Sequence, residues 1–155
     1  MKKTVDLYTD GACSGNPGRG GYCAILSYMG REKVISEGYL ETTNNRMELM
    51  AAIAGLEALK EPCIVNLYTD SKYLADAINQ KWLFNWASKN WRKSDGKPVL
   101  NVDLWMRFLK LYEYHEVNLI WVKGHNGHEM NERCDKIAVS AYNKENLLID
   151  EGYYQ

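Results

Sequence analysis

The chain reads as a mixed α/β protein, a five-stranded sheet flanked by helices, and three observations carry that reading. Short β-branched and aromatic runs alternate with longer apolar-periodic stretches in the order strand, strand, strand, helix, strand, helices, strand, helix. The tetrapeptide Leu-Tyr-Thr-Asp ends the first strand at residues 7–10 and returns at residues 67–70, closing a second run that begins near Ile64. A long helical stretch precedes that second run and supplies the crossover that parallel pairing requires.

The first strand covers residues 5–10. Gly11, Gly15, Gly18, Gly20 and Gly21, with Pro17 among them, predict a turn through residues 11–21. No Gly-Lys-Ser/Thr closes it as a nucleotide-phosphate loop, and its glycine spacing does not fit the dinucleotide pattern. Residues 22–28 and 33–40 read as a hairpin around Met29-Gly30-Arg31-Glu32, giving three successive antiparallel strands. Thr42-Thr43-Asn44-Asn45 caps a helix that runs to about Lys60 and stops before Pro62. Its apolar residues lie on two sides, Met47, Met50, Ala51, Ala54 and Ala58 on one and Leu49, Ile53 and Leu56 on another, so it is expected to be buried over most of its surface.

Ile64 to Asp70 forms the next strand, and Ser71 caps a helix to about Gln80. Residues 81–98 are aromatic and basic, 102–114 helical, 117–122 a strand, 123–128 a loop, and 129–143 a last helix. The tail after about residue 144 has little periodicity and is expected to fray. At 155 residues with ordinary apolar and charged fractions, residues 1–155 are expected to form one domain.

Net charge is −1, so the chain as a whole is no basic nucleic-acid binder. The charge is uneven, however: residues 81–97 hold five cations (Lys81, Lys89, Arg92, Lys93, Lys97) against Asp95 alone, a local positive surface. No apolar run follows Met1-Lys2-Lys3 and nothing resembles a membrane span, which places the chain in the cytoplasm. Its four cysteines, at 13, 23, 63 and 134, form no CxxC pair, so reduced thiols are expected.

Four acids occupy places where a solvated acid is out of character. Asp10 and Asp70 end apolar strands; if those strands are parallel neighbours, period-two alternation sets both carboxylates at one end of one face. Glu48 lies in the first turns of an apolar helix, and Asp135 shares a helical face with Asn131, Cys134 and Ala138. Each alone has a structural explanation, as a turn cap, a helix-dipole partner or half of an ion pair. Together they make a crowded anionic cluster, which needs a shared proton or a bound cation. An oxygen-only set favours magnesium or manganese; for zinc, His125, His128 and Cys134 are close in sequence but no His-Glu-x-x-His or CxxC completes a site. Carboxylates holding two cations ~4 Å apart are the usual clamp for in-line attack at phosphate.

The segments Thr9-Asp10-Gly11, Thr42-Thr43-Asn44-Asn45-Arg46-Met47-Glu48, Thr69-Asp70-Ser71, Trp121-Val122-Lys123-Gly124-His125 and Asn131-Glu132-Arg133-Cys134-Asp135 resemble the motifs of the type 1 ribonuclease H family in its bacterial form, in order and over nearly the whole chain. The resemblance implies a ribonuclease H-like fold and an endonuclease that cuts the RNA strand of an RNA–DNA hybrid, leaving 3′-hydroxyl and 5′-phosphate ends. It implies that Asp10, Glu48, Asp70 and Asp135 hold two metal ions, with Asp10 bridging them, and that His125, in the mobile-looking loop before the last helix, relays protons or helps product leave. His115 and His128 read instead as surface histidines in polar turns.

By the same resemblance, Asn16, Asn44 and Asn45 contact the minor groove and 2′-hydroxyls, with the backbone of Cys13 nearby and Thr43 on a phosphate of the DNA strand. Asparagine suits turn and capping chemistry equally, and both uses are compatible. The 81–98 stretch resembles a basic helical handle. Around its cations Trp86, Trp91 and Trp105 form a small aromatic core, Trp82 is counted with the substrate contacts, and Lys89, Arg92, Lys93 and Lys97 meet DNA phosphates. Ala87-Ser88-Lys89-Asn90 is less cationic than the bacterial pattern, implying weaker hybrid affinity, and Lys72 replaces a frequent glutamine. The chain is expected to act as a monomer. Two rivals stand beside this reading: a DNA-cutting relative with similar carboxylates, which would not need Asn44 and Asn45, and a silent hybrid-binding module, which would not need four acids.

Overall fold

The computed structural model describes residues 2–123 and 128–154. Five strands form one sheet in the order β3-β2-β1-β4-β5, where β1 is Thr4–Cys13, β2 Gly18–Tyr28, β3 Arg31–Thr42, β4 Ile64–Thr69 and β5 Glu116–Trp121. β1 runs antiparallel to β2 and β2 to β3, whereas β1, β4 and β5 are mutually parallel. The chain therefore grows the sheet first to one side of β1 and then, after the crossover, to the other. The resulting switch point lies between β1 and β4, where open α/β sheets present their ligand crevice.

The repeated tetrapeptide is in direct register, Leu7 opposite Leu67 and Tyr8 opposite Tyr68. There the ladder stops. Thr9 Oγ1 donates to the Tyr68 carbonyl at 2.9 Å, and beyond it β1 follows β2 alone, as far as Cys13 opposite Gly20. The two strands thus part just before their terminal aspartates.

Helices α1 (Asn44–Glu57), α2 (Lys72–Asn79), α3 (Trp82–Ser88), α4 (Val102–Tyr114) and α5 (Glu129–Tyr142) complete the chain with a 3-10 turn at Glu151–Tyr154. Thr43 caps α1, its Oγ1 accepting from Arg46 N at 3.3 Å, and Ser71 caps α2, its Oγ accepting from Leu74 N at 3.1 Å. α1 is apolar on two sides because it is covered on two sides, by the sheet and by α4. Leu49, Ile53 and Leu56 meet Leu7, Leu67, Trp105 and Phe108 in the main core, while Met47 and Ala51 pack with Tyr22. Each fully buried leucine or isoleucine contributes about 1.5–3 kcal/mol. Among the described residues no helix is long and apolar enough to cross a membrane.

Four expectations are corrected. The glycine-rich turn is confined to residues 14–17, with Gly11, Gly18, Gly20 and Gly21 inside strands; at Gly21 a Cβ would strike the Ala138 carbonyl of α5, so that glycine serves close packing. The handle is helical only over Trp82–Ser88. After it, Arg92 bridges to Pro98 and Lys93 N donates to Lys97 O at 2.9 Å, so the basic tip is a tight hairpin. Trp91 adopts φ 62°, unusual for a bulky residue, and is held there by its N–H to Trp86 O at 2.7 Å. The tryptophan core itself stands: Trp86 meets the fully buried Trp105 edge-on at 5.7 Å, and Trp82 lies 6.4 Å from Trp86.

The tail, expected to fray, is docked against the body as far as Tyr154. Leu148 bridges to Tyr39, and Asp150 is buried against Arg46, a compensation between residues distant in sequence that no local pattern displays. Of the two histidines expected at the surface, His115 is a core group and His128 is half-buried. His115 is 4% exposed, its Nδ1 accepting from Cys63 N at 3.1 Å and its Nε2 3.3 Å from the Leu56 carbonyl, and burial lowers its pKa. His128 precedes α5 partly buried, its ring 6.3 Å from Tyr8 and 5.9 Å from Tyr68.

Candidate active site

Asp10 is the hinge of the site. Strand alternation turns Val5, Leu7 and Thr9 toward the main core and Asp10 toward α5, and β1 reaches α1 closely enough that a Cβ on Gly11 would overlap the Met47 and Glu48 backbone. Only glycine permits that approach. Its N–H donates to Asp10 Oδ1 at 2.9 Å and also to Glu48 Oε1, drawing two carboxylates onto one donor. Asp70 arrives from the end of β4, and oxygens of Asp10, Glu48 and Asp70 lie within 4.8 Å of one another. Asp135, on α5, lines the same pocket of about 400 Å³, along with Asn44, Asn45, Ser71, Lys72 and Tyr73.

The electrostatics follow from this crowding. Burial, first of all, and then the neighbouring Asp70 and Asp135 push Asp10 up to about 8, although the Glu48 hydrogen bond works in the opposite direction. Glu48, 4% exposed, is raised by burial and then by Asp10 and Asp70. No described residue forms an ion pair with either group, and Asp10 Oδ2 is buried without a hydrogen-bond partner among the described residues. An orphaned carboxylate oxygen in an all-oxygen donor set fits a hard divalent cation. The pocket can therefore hold such an ion.

Of the residues expected here, the structure brings Asp10, Glu48, Asp70, Asp135, Asn44 and Asn45 to one pocket. Asn16, Thr43 and Asn45, with Lys93 and Lys97 of the handle hairpin, line an adjoining groove of about 860 Å³. Asn16 Oδ1 accepts from Asn44 N at 3.1 Å, tying the 14–17 loop to the start of α1. Cys13 lines neither space and turns its thiol to the Thr42 carbonyl at 3.6 Å. Trp82 is 40% exposed on the handle, and Lys89 and Arg92 are exposed there outside the groove, with Arg92 Nη1 donating to Gly96 O at 3.0 Å. His125 lies outside the described residues.

Sequence reasoning missed the support behind this wall. Arg46, 2% exposed, donates to Asp150 at 2.7 and 3.0 Å and to Asp103 at 2.7 and 2.9 Å, while Thr42 Oγ1 donates to Asp150 at 2.6 Å. One buried guanidinium thus joins α1, α4 and the tail. An arginine beside Met47 in a helix expected to be buried over most of its surface was the available signal; nothing local marked its partners.

Comparison with known proteins places this architecture. A family model described as RNase H matches residues 2–143. A curated relative named Ribonuclease H from Desulforamulus reducens is 55% identical over 148 residues, which is 96% of this chain and 93% of that one. Another of that name from Escherichia coli is 56% identical over 153 residues, 99% of this chain and 97% of its own length. Among solved structures, LC9-RNase H1, described as a type 1 RNase H with the type 2 active-site motif, superposes with a TM-score of 0.82 at 29% identity, covering 99% of this chain and 80% of that one. Matched along nearly its full length in both sequence and fold, the chain belongs to the ribonuclease H family.

Proposed function

We propose that the protein is a metal-dependent endonuclease that hydrolyses the RNA strand of RNA–DNA hybrids, leaving 3′-hydroxyl and 5′-phosphate ends. The observation that carries this is that two spaces share Asn45 as a lining residue: a pocket lined by four carboxylates and a groove lined by Lys93 and Lys97. An anionic pocket alone repels a polyanion, and a basic groove alone only binds one. Joined, they suit a duplex whose scissile phosphate reaches the acids while its other strand lies in the groove.

Asp10, Glu48, Asp70 and Asp135 are the groups that would hold magnesium, with manganese as the alternative, as two ions once substrate is bound. When bound, the ions supply an activated water and charge neutralisation at the leaving oxygen. The remaining work belongs to the chain. Asn44 and Asn45 offer amide donors and acceptors beside the carboxylates, the chemistry that reads a 2′-hydroxyl and so distinguishes RNA from DNA. Asn16 and Thr43, bonded to the first turn of α1, hold that turn beside the groove, where Asn16 joins the minor-groove and 2′-hydroxyl contacts and Thr43 meets a phosphate of the DNA strand. Lys93 and Lys97 attract DNA phosphates, with Lys89, Arg92 and Trp82 further out on the handle. To His125, outside the described residues, we assign the relay of protons or help in product release that the family resemblance implies. Residues 1–155 act as one domain, as a cytoplasmic monomer.

The test is cleavage of a labelled RNA–DNA hybrid, duplex DNA and duplex RNA, with and without magnesium. Cutting of the hybrid's RNA strand alone, abolished by chelator, is the expected result. Cutting of duplex DNA would instead support the DNA-cutting relative, and binding of hybrid without cleavage the silent module.

A further inference from the structure

The segment after α5 has no apolar periodicity, yet three contacts fix its course. Asp150 is bonded to Thr42 and Arg46. Gly152 lies so close to the Arg46–Asp103 pair that an added Cβ would clash with Asp103 Oδ2 and Arg46 Nη2. Tyr154 donates its hydroxyl to Glu41 Oε2 at 2.9 Å. Tyr153 stands between the last two anchors, half-buried, and lines the groove that holds Lys93, Lys97 and Thr43. No hydrogen bond of its hydroxyl is formed with the described residues. The one acid lining that groove, Asp103, is paired with Arg46, whereas Lys93 and Lys97 form no ion pair with a described residue.

A groove with two free ammonium groups, short polar side chains and a tyrosine suits a sugar–phosphate backbone: the ammoniums and the phenol hydroxyl donate to phosphate, while the ring covers a sugar. Because Asn45 also lines the carboxylate pocket, a duplex with its RNA strand at the acids presents its second strand here. We propose that the carboxyl-terminal turn is a wall of the substrate groove and that Tyr153 contacts the DNA strand of the hybrid, its hydroxyl donating to a phosphate. The proposal rests on the hybrid-cleaving reading above. It gives the Arg46 network a second purpose, holding the turn in place for substrate.

The test compares the unsubstituted protein with Tyr153→Phe and Tyr153→Ala on hybrids carrying single uncharged methylphosphonate linkages stepped along the DNA strand. In the unsubstituted protein, binding should weaken at one or two adjacent linkages. Tyr153→Phe should raise KM about three- to tenfold, change kcat less than KM, keep the thermal midpoint, and lose sensitivity at those linkages. A Tyr153→Phe variant with the original KM and the original linkage profile would overturn the proposal, as would a Tyr153→Ala variant that lowers the thermal midpoint without altering KM. A flat profile along the DNA strand, with RNA cleavage intact, would overturn it while leaving the hybrid reading standing. Absence of hybrid cleavage by the unsubstituted protein would instead remove the reading beneath it.

Discussion

Arg46 and Glu48 stand two positions apart on the same helix, 2% and 4% exposed, and their surroundings could hardly differ more. Arg46 is met by Asp103 and Asp150, so its charge is answered within the chain. Glu48 faces Asp10 and Asp70, so its charge is compounded. Burying an ion costs several kcal/mol, and it is tolerated where partners with good hydrogen-bond geometry stand ready. The first region meets that condition unaided. The second meets it only with protons or a cation, and this difference separates a part of the fold that stabilises from a part that is kept for chemistry.

Neutralising one acid should break the second region without harming the fold. Asp70→Asn is expected to reduce kcat at least about 10³-fold, because a metal-holding and transition-state-stabilising charge is lost. Its thermal midpoint in metal-free buffer should hold or rise, since like-charge repulsion is relieved. A lowered midpoint with kcat nearly intact would show that Asp70 is a structural acid. The converse change belongs to the first region. Arg46→Met should destabilise the protein by about 3–5 kcal/mol, measured by denaturant titration, since Asp150 would be left buried and unpaired. A variant of near-native stability would mean that water already compensates this network.

The contrast also marks what could be read in the residues and what could not. The register of the repeated Leu-Tyr-Thr-Asp, the caps at Thr43 and Ser71, and the convergence of the four acids were legible because strand periodicity, capping chemistry and acid placement are local signals. Gly18, Gly20 and Gly21 read as turn because a glycine needed for close packing looks, in sequence, the same as one needed for a bend. The docked tail escaped notice for a different reason. Asp150 meets an arginine 104 positions earlier, and no window along the chain contains both. His115 likewise reads as a polar residue after a helix, and only the approach of Cys63 and Leu56 makes it a core group.

The central claim, that the anionic pocket awaits a divalent cation, is tested most directly by the thermal midpoint with and without magnesium, measured from about pH 5 to about pH 9. Asp10, raised to about 8, holds a proton whose stabilising effect is full below the unfolded value near 4 and is lost as pH rises through 8, so the metal-free protein should weaken across that window. Magnesium should restore the midpoint by an increment that grows with pH, and Asp10→Asn should abolish most of that increment. An increment that is absent, or that is equal in the unsubstituted protein and in Asp10→Asn at every pH, would contradict the claim.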